Sequence, residues 1–275
     1  MQYMIPGSQF DGARLGARCI IWLACGAAAL LPGLIASRAG ANELYSTSGN
    51  WLYRIDKSTG ITTTIGYDGG VGLTALAFDP TTGALYGNNG SSLYIIDKSS
   101  GITTALGYNG GAGVGGLAFD PATDVLYGTS GNWLYNIDKS TGSTTTGGVY
   151  CPGIGGLAFD PATDVLYGTS GNWLYRIDKS TGIATTIGYN GGAGIGWLAF
   201  DPATDVLYGI SGGWLYTIDK STGAATSIGS CAGLRGLTFD PMPAPEPGTL
   251  TLLVVGGASL VGGAFWRRRK KRGRS

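Results

Sequence analysis

The sequence contains no histidine among its 275 residues. This absence excludes catalytic Ser-His and Cys-His pairs, histidine zinc ligands and acid–base catalysis by imidazole. Charged side chains are also scarce, at 13% of the chain, and glutamate occurs only as Glu43 and Glu246. The chain is instead rich in glycine, threonine, serine and tyrosine. That composition is typical of short β-strands joined by tight turns.

Basic side chains are rare between residues 42 and 241. This region holds five Lys and three Arg against fourteen Asp and one Glu, a net charge of −7, although the whole chain carries +1. Proteins bind phosphate groups chiefly through Lys and Arg. The acidic balance therefore argues against nucleic acid and anionic lipid as partners of this region.

A unit of about 40 residues occurs five times in this region. Its marker is Leu-Ala-Phe-Asp-Pro, which begins at Leu76, Leu117, Leu157 and Leu198, with a variant at Leu237. Each unit contains four short strand patterns separated by turn residues. In the third copy the predicted strands are Gly156–Phe159, Val165–Gly168, Trp173–Ile177 and Ala184–Ile187.

Four-stranded units of this length predict an all-β, five-bladed β-propeller over residues 42–241. The region begins at the second strand of a unit, near Leu44, and ends with a lone first strand, Leu237–Asp240. This offset would let the last strand complete the first blade and close the ring. A solenoid or another repeat-built β fold is the alternative, but such a stack needs polar caps at both ends.

The copies are nearly identical, which bears on function. Residues 115–142 and 155–182 differ at one position, Asn136 against Arg176. An enzyme centre normally needs different groups in different roles. Equivalent blades supply the same groups repeatedly, which favours multivalent binding or a structural role.

The predicted blades present two chemically different faces. Turns after the first and third strands carry Asp-Pro-x-Thr and Asp-Lys-Ser-Thr-Gly. Their aspartates, such as Asp120 and Asp138, either cap turns or gather calcium, but no dense calcium-loop spacing occurs. We expect no metal and no cofactor.

The opposite loops carry aromatic residues. These either pack between neighbouring blades or form platforms for sugar rings, with asparagine and backbone amides as hydrogen-bonding groups. The candidate ligand-binding residues are Trp51, Trp133, Trp173, Trp214, Tyr67, Tyr108, Tyr189, Asn109 and Asn190.

Two cysteines, Cys151 and Cys231, occupy equivalent places in non-adjacent units. A disulfide between them is possible in an oxidising compartment if both loops lean over the central axis, because a bridge needs Cα atoms within about 7 Å. Two free thiols are the alternative.

The N-terminal 41 residues have the pattern of a secretory signal peptide. Arg14 and Arg18 precede an apolar stretch, and Ala39-Gly40-Ala41 forms an A-x-A cleavage site. A lipoprotein cysteine at Cys25 and an uncleaved anchor are the alternatives. In each case residues 42–241 are expected outside the cytoplasm, after transport by the Sec machinery.

The C-terminal sequence contains three elements, one after another. Pro245, Glu246 and Pro247 lie in a linker at residues 242–249, and an apolar run follows at residues 250–266. A helix of 17 residues spans roughly 26 Å, enough to cross a hydrocarbon core. A basic tail at residues 267–275 would remain cytoplasmic; it contains Arg267, Arg268, Arg269, Lys270, Lys271 and Arg272.

This order resembles the PEP-CTERM sorting signal of Gram-negative bacteria. The resemblance implies an inner-membrane precursor, processing by exosortase near the motif, and a final location in the cell envelope or outside the cell, usually in bacteria that make exopolysaccharide. We expect a non-enzymatic structural or adhesive protein of the surface or matrix, linked to exopolysaccharide or biofilm. One alternative is a lectin-like propeller that uses the aromatic loops, and another is a lactonase-like propeller hydrolase.

Overall fold

The computed structural model describes residues 43–146, 153–231 and 233–241. The chain divides into two units, residues 1–37 and 38–275, and all the described residues lie in the second. These residues form twenty β-strands arranged in five antiparallel four-stranded sheets. The predicted five-bladed β-propeller is confirmed.

The first blade has the strand order β20-β1-β2-β3, and blades two to five take β4–β7, β8–β11, β12–β15 and β16–β19 in sequence. The strands are β1 Glu43–Ser48, β2 Trp51–Ile55, β3 Thr62–Tyr67, β4 Ala75–Asp79, β5 Ala84–Asn88, β6 Ser92–Ile96, β7 Thr103–Tyr108, β8 Gly116–Asp120, β9 Val125–Ser130, β10 Trp133–Ile137, β11 Thr144–Thr146, β12 Gly156–Asp160, β13 Val165–Ser170, β14 Trp173–Ile177, β15 Ala184–Tyr189, β16 Trp197–Asp201, β17 Val206–Ser211, β18 Trp214–Ile218, β19 Ala225–Ser230 and β20 Arg235–Asp240.

The ring closes through the first blade. β20 pairs antiparallel with β1, in a register that places Leu44 opposite Phe239 and Ser46 opposite Leu237. The Ser46 hydroxyl also donates to the Gly236 carbonyl at 2.7 Å. The inner strands β20, β4, β8, β12 and β16 contact one another in turn, and β16 contacts β20. Circular closure is thus built from backbone pairing between the two ends of the domain.

The repeated Leu-Ala-Phe sequence follows from the wedge shape of a blade. Side chains alternate across a strand, so Leu117 and Phe119 of β8 point to one side and Ala118 to the other. Leu117 and Phe119 pack against the alanines of the preceding blade, whereas Ala118 packs against the leucine and phenylalanine of the next. Large-against-small packing lets the sheets approach closely near the axis, and it gives one buried cluster per boundary.

Glycine on the outer strands lets neighbouring blades touch backbone to backbone. A Cβ built on Gly107 of β7 would lie 1.7 Å from the carbonyl oxygen of Thr141 in the next blade, and Gly188 meets Thr222 in the same way at 1.8 Å. No side chain fits at that distance. These positions therefore require glycine for packing.

The Asp-Lys-Ser-Thr-Gly turns are capped by their aspartates, as the capping interpretation predicted. The Asp138 carboxylate accepts hydrogen bonds from the Ser140 hydroxyl and from the backbone N–H groups of Ser140 and Thr141. Gly142 closes the turn with φ of 71°, a left-handed conformation that favours glycine. The same turn in blade four lowers the pKa of Asp178 to about 2, mainly through the Ser180 hydroxyl.

The lysine of each of these turns links two blades. Lys179 of blade four donates to the buried Asp120 of blade three at 2.7 Å, while its Nζ lies 4.7 Å from the ring centroid of Phe159 in its own blade. The same arrangement occurs at all five boundaries, with N–O distances of 2.6 to 3.1 Å. We call these contacts the lysine ring; its pairs are Lys57–Asp201, Lys98–Asp240, Lys139–Asp79, Lys179–Asp120 and Lys220–Asp160.

We expect the free energy of unfolding to fall at acid pH because the lysine ring loses its ion pairs there. Burial alone raises the pKa of Asp120, but hydrogen bonds from Lys179 and Thr123 outweigh it and hold the pKa below 3.8. A carboxylate with a lower pKa in the folded state stabilises the fold fully above its unfolded pKa, and this contribution is lost as pH falls through the folded pKa. The pKa of Lys179 is raised despite burial, so its contribution is lost only at strongly alkaline pH.

The urea midpoint should therefore be nearly constant from about pH 5 to 9 and fall below about pH 4. A midpoint that increases between pH 5 and pH 3 would contradict the lysine ring as a stabilising feature.

A tryptophan fills the centre of the ring. Trp197 begins β16, and its indole N–H donates to the Thr74 carbonyl at 2.9 Å, from blade five to the non-adjacent blade two. The equivalent residues of the other blades are alanine or glycine. One large side chain therefore reaches between non-adjacent blades, at a position where the other four blades have a small residue.

Candidate binding face

The two faces of the propeller differ sharply in charge. The charged face is formed by the turns after the first and third strands of each blade. It carries the lysine ring, the capping aspartates and the positive-φ residues Asp124, Asp164 and Asp205. The aromatic face is formed by the loops after the second and fourth strands, and its formal charges are Asp68 and Arg235. The net charge of −7 therefore belongs to the charged face, and the aromatic face is neutral overall.

The four predicted tryptophans are exposed on the aromatic face. Each begins the third strand of its blade, and their exposed fractions lie between 44% and 47%. Burial between neighbouring blades, the alternative considered from the sequence, would leave far less surface accessible. The predicted tyrosines are more exposed still, at 48% for Tyr67, 63% for Tyr108 and 50% for Tyr189.

In two blades these residues form cross-strand pairs. Trp51 lies opposite Tyr67 in the sheet register with ring centroids 5.5 Å apart, and Trp173 lies opposite Tyr189 at 5.4 Å. Both pairs are edge-to-face, a favourable arrangement of aromatic quadrupoles. Packing of one ring against the other holds an apolar surface in a fixed orientation at the rim of the blade.

The predicted asparagines have a different position. Asn109 and Asn190 are 0% and 1% exposed, so their side chains lie beneath the glycine-rich loops and not on the surface. The Asn109 amide donates to the Gly90 carbonyl and its Oδ1 accepts from the Gly111 N–H. These side chains brace the loops; the groups that the loops present to solvent are backbone amides.

A groove of about 410 Å³ lies between blades four and five on this face. One wall is the loop from Asn190 to Ala193, and the other is formed by Trp214, Tyr216, Ala225 and Ser227. Its volume falls within the ~300–1,000 Å³ typical of small-molecule sites. It combines an exposed aromatic ring, hydroxyl groups and loop backbone, and it is lined by no charged side chain.

Two larger depressions lie on the charged face, beside the turns of blades four and five. Their lysines are already engaged in ion pairs: Lys179 pairs with Asp120 and Asp164, and Lys220 pairs with Asp160 and Asp205. Among the residues that the structure describes, no group of three His, Cys, Asp or Glu is placed to hold a metal ion. A ligand there would have to displace existing ion pairs.

Cys231 begins the loop after β19 and is buried. Burial raises the pKa of its thiol to about 11. Its backbone N–H donates to the Gly213 carbonyl. The equivalent bond in the preceding blade runs from the Asn190 N–H to the Asn172 carbonyl. Cys151 lies outside the described residues, so the disulfide stays a prediction.

The sorting motif and both terminal segments also lie outside the described residues. This applies to Pro245, Glu246 and Pro247, to the apolar run at 250–266, to the basic tail and to residues 1–41. Within residues 43–146, 153–231 and 233–241, no helix is long and apolar enough to cross a membrane.

Sequence reasoning missed two features of this molecule. Trp197 was not singled out, although it stands where other copies have alanine or glycine, and that contrast was the available signal. The inter-blade role of the lysines was also missed. Each lysine directly follows a turn aspartate, and this suggests that the two side chains interact within the turn. In the structure the lysine pairs instead with an aspartate of the preceding blade.

No protein-family model and no curated protein sequence matches the chain. Among solved structures, it is similar to a symmetrical protein from a study of de novo evolutionary emergence, with 24% identity and a TM-score of 0.54 over 74% of this chain and 99% of that one. It is also similar to a chain of the nidogen/laminin complex, with 13% identity and a TM-score of 0.53 over 73% and 98%. At these identities the similarity supports the β-propeller fold alone.

Proposed function

We propose that the chain is an exported, non-enzymatic propeller that adheres to polysaccharide of the cell envelope or matrix through its aromatic face. The observation that carries this proposal is the set of half-exposed tryptophans on one neutral face. Soluble proteins seldom expose several large aromatic rings together unless the surface binds something.

Sugar rings fit this surface for two physical reasons. Their C–H faces are apolar and stack on indole and phenol rings, while their hydroxyls need nearby hydrogen-bonding groups. The aromatic face supplies both, because Trp51, Trp173 and their paired tyrosines stand beside loops with exposed backbone. Repetition around the ring also allows several weak contacts to one long polymer, which increases avidity.

Replacing Trp133, Trp173 and Trp214 with alanine should strongly weaken glycan binding and leave the fold intact. Since these side chains are nearly half exposed, their loss removes the stacking surface with little effect on the core, and affinity should fall by at least about tenfold. A glycan array and isothermal titration calorimetry on the best binder measure the effect. The matched control replaces Ile61, Ile102 and Ile183, which are exposed at 57–65% beside the charged-face turns. Equal loss in both variants, or no glycan bound by the natural chain, would refute the adhesive role.

We further propose that an exosortase processes the exported precursor at the PEP motif in the inner membrane. The support is the order of Pro245-Glu246-Pro247, the apolar run and the basic tail. Alanine at all three motif positions should leave the full-length chain in the inner membrane, because the processing enzyme no longer recognises it. Fractionation and immunoblotting of the natural and altered chains in an exosortase-containing host report this. Normal maturation of the altered chain would refute the assignment.

A further inference from the structure

We infer that the groove between blades four and five is the principal subsite of the aromatic face and takes one neutral pyranose ring of a glycan. The inference rests on the proposed adhesive function and specifies where and how the sugar is held. Three observations on this groove support the inference, and the first two distinguish it from the boundary between blades two and three.

The first observation concerns a backbone carbonyl. In two of the glycine-rich loops, the carbonyl of the first loop residue accepts a hydrogen bond from a threonine hydroxyl on the outer strand of the next blade. The Asp68 carbonyl accepts from the Thr103 hydroxyl at 2.7 Å, and the Asn109 carbonyl accepts from the Thr144 hydroxyl at 3.0 Å. At the groove the equivalent residue is Ala225, which has no hydroxyl. The Asn190 carbonyl accepts a long hydrogen bond from the Ala193 N–H at 3.4 Å. Its second lone pair, which a threonine hydroxyl uses in the other two loops, has room for a donor, and a sugar hydroxyl is a suitable one.

The second observation concerns the loop amides. In the second blade, the Gly111 N–H is held by Asn109 Oδ1 at 3.2 Å. In the fourth blade, Asn190 is 1% exposed, and its Oδ1 has no hydrogen-bond partner among the described residues. The N–H of Gly192, the counterpart of Gly111, is consequently not held by this side chain. Gly192 lines the groove, and we infer that its N–H serves there as the donor to a sugar oxygen.

The third observation is the aromatic wall. Trp214 is 47% exposed and lines the groove opposite the loop. Stacking on its indole, one acceptor and one donor together match the alternation of apolar faces and hydroxyls on a pyranose ring. Because no charged side chain lines the groove, a uronic acid or a sulfated sugar would find no cation to compensate its charge.

The other described boundaries each lack part of this set. Between blades one and two, Ser92 stands in place of tryptophan. Between blades two and three, Trp133 is present but Thr144 occupies the carbonyl. Between blades five and one, the loop from Cys231 to Leu237 is two residues shorter than its counterpart from Asn190 to Leu198 and has no Gly-Gly pair. The boundary between blades two and three thus differs from the groove by the Thr144 hydroxyl and by the hydrogen bond from the Gly111 N–H to Asn109 Oδ1. It serves as a control within the same chain.

Two reciprocal substitutions test the inference by calorimetry with cellotetraose and chitotetraose as neutral probes and tetragalacturonate as the acidic one. Ala225→Thr should supply the missing hydroxyl, engage the Asn190 carbonyl and lower affinity for the preferred neutral probe by at least about tenfold, the effect of one lost hydrogen bond plus crowding. Thr144→Ala should free one lone pair of the Asn109 carbonyl and add a second, weaker site, because the Gly111 N–H is still held by Asn109 Oδ1. Threonine occurs at this position in the first three blades, so Ala225→Thr should leave the urea midpoint unchanged. Thr144→Ala removes one hydrogen bond and should lower the midpoint only slightly.

Binding of a neutral probe with unchanged affinity in Ala225→Thr, or stronger binding of tetragalacturonate than of the neutral probes, would overturn the inference and leave the adhesive function standing. Failure of the natural chain to bind any neutral probe would instead overturn the adhesive function and the inference with it. Loss of binding in both Ala225→Thr and Trp214→Ala, with retention in Trp133→Ala, supports the groove as the subsite.

Discussion

A chain that ends at residue 234 is expected to lose cooperative folding, whereas a chain that ends at residue 241 should fold normally. The seven residues between these endpoints contain β20, the innermost strand of the first blade. Without it, β1 loses a backbone partner, and the buried Leu237 and Phe239 are removed from the core. Full burial of such side chains contributes about 1.5–3 kcal/mol each. Their combined loss approaches the ~5–15 kcal/mol that stabilises an ordinary domain.

The comparison is best made with residues 42–234 and 42–241 by circular dichroism and urea unfolding. A synthetic peptide covering residues 235–241, added in excess to the shorter chain, should restore part of the cooperative transition, because it supplies the missing strand of an open sheet edge. Two chains of equal stability would show that β20 does not close the ring.

Lys179→Met is expected to destabilise the fold by about 3–5 kcal/mol at neutral pH, because it leaves the buried Asp120 carboxylate without its cation. Asp120 is fully buried and lies 2.7 Å from Lys179 Nζ. The change also removes the contact between Lys179 and the Phe159 ring. Urea unfolding followed by tryptophan fluorescence measures the loss.

The double variant Lys179→Met, Asp120→Asn serves as the matched control. Removing the carboxylate charge should recover a large part of the lost stability, since an unpaired buried charge is the main cost. The gap between Lys179→Met and the natural chain should also narrow below about pH 4, where Asp120 becomes protonated. A loss under about 1 kcal/mol, or no recovery in the double variant, would mean that the ring contributes little beyond a surface ion pair.

The sequence predicted the blades because their signals are local and repeated. In the third copy, the predicted first strand, Gly156–Phe159, is observed as Gly156–Asp160, and the predicted third strand, Trp173–Ile177, has the same bounds in the structure. Turn capping by Asp138 followed from the same short-range chemistry. Even the closing strand was accessible, because the count of strand types required Leu237–Asp240 to pair with the start of the domain.

Contacts between different blades could not be predicted from the sequence in this way. The partner of Lys139 is Asp79, 60 residues earlier, and the partner of the Trp197 indole is the Thr74 carbonyl, 123 residues earlier. The lysine and the aspartate recur in every copy, but the repeat does not show that each pair joins two blades, and Trp197 has no counterpart in the other copies. The exposure of Trp133 and the burial of Asn109 likewise depend on how a loop crosses from one blade to the next, which residue type alone does not decide.

Contacts between blades matter for function. The repeated motif predicts five equivalent sites, whereas the structure shows that the grooves at different blade boundaries have different hydrogen-bonding groups. Thr144 and Ala225 occupy equivalent positions, yet the Thr144 hydroxyl donates to a loop carbonyl and Ala225 has no hydroxyl to do so. Small differences between nearly identical copies can therefore assign different roles to equivalent grooves. Functional assignment in such repeats needs comparison of each boundary by itself.

Native-state hydrogen exchange of the amides in β1 and β20 tests circular closure most directly. If the ring is closed, the paired amides of Leu44–Thr47 and Leu237–Phe239 exchange only through global unfolding, with the same protection as the inner strands β8 and β12. If the domain is instead an open stack, β20 lacks its partner, and its amides exchange at rates close to those of an unfolded chain while β8 and β12 remain protected.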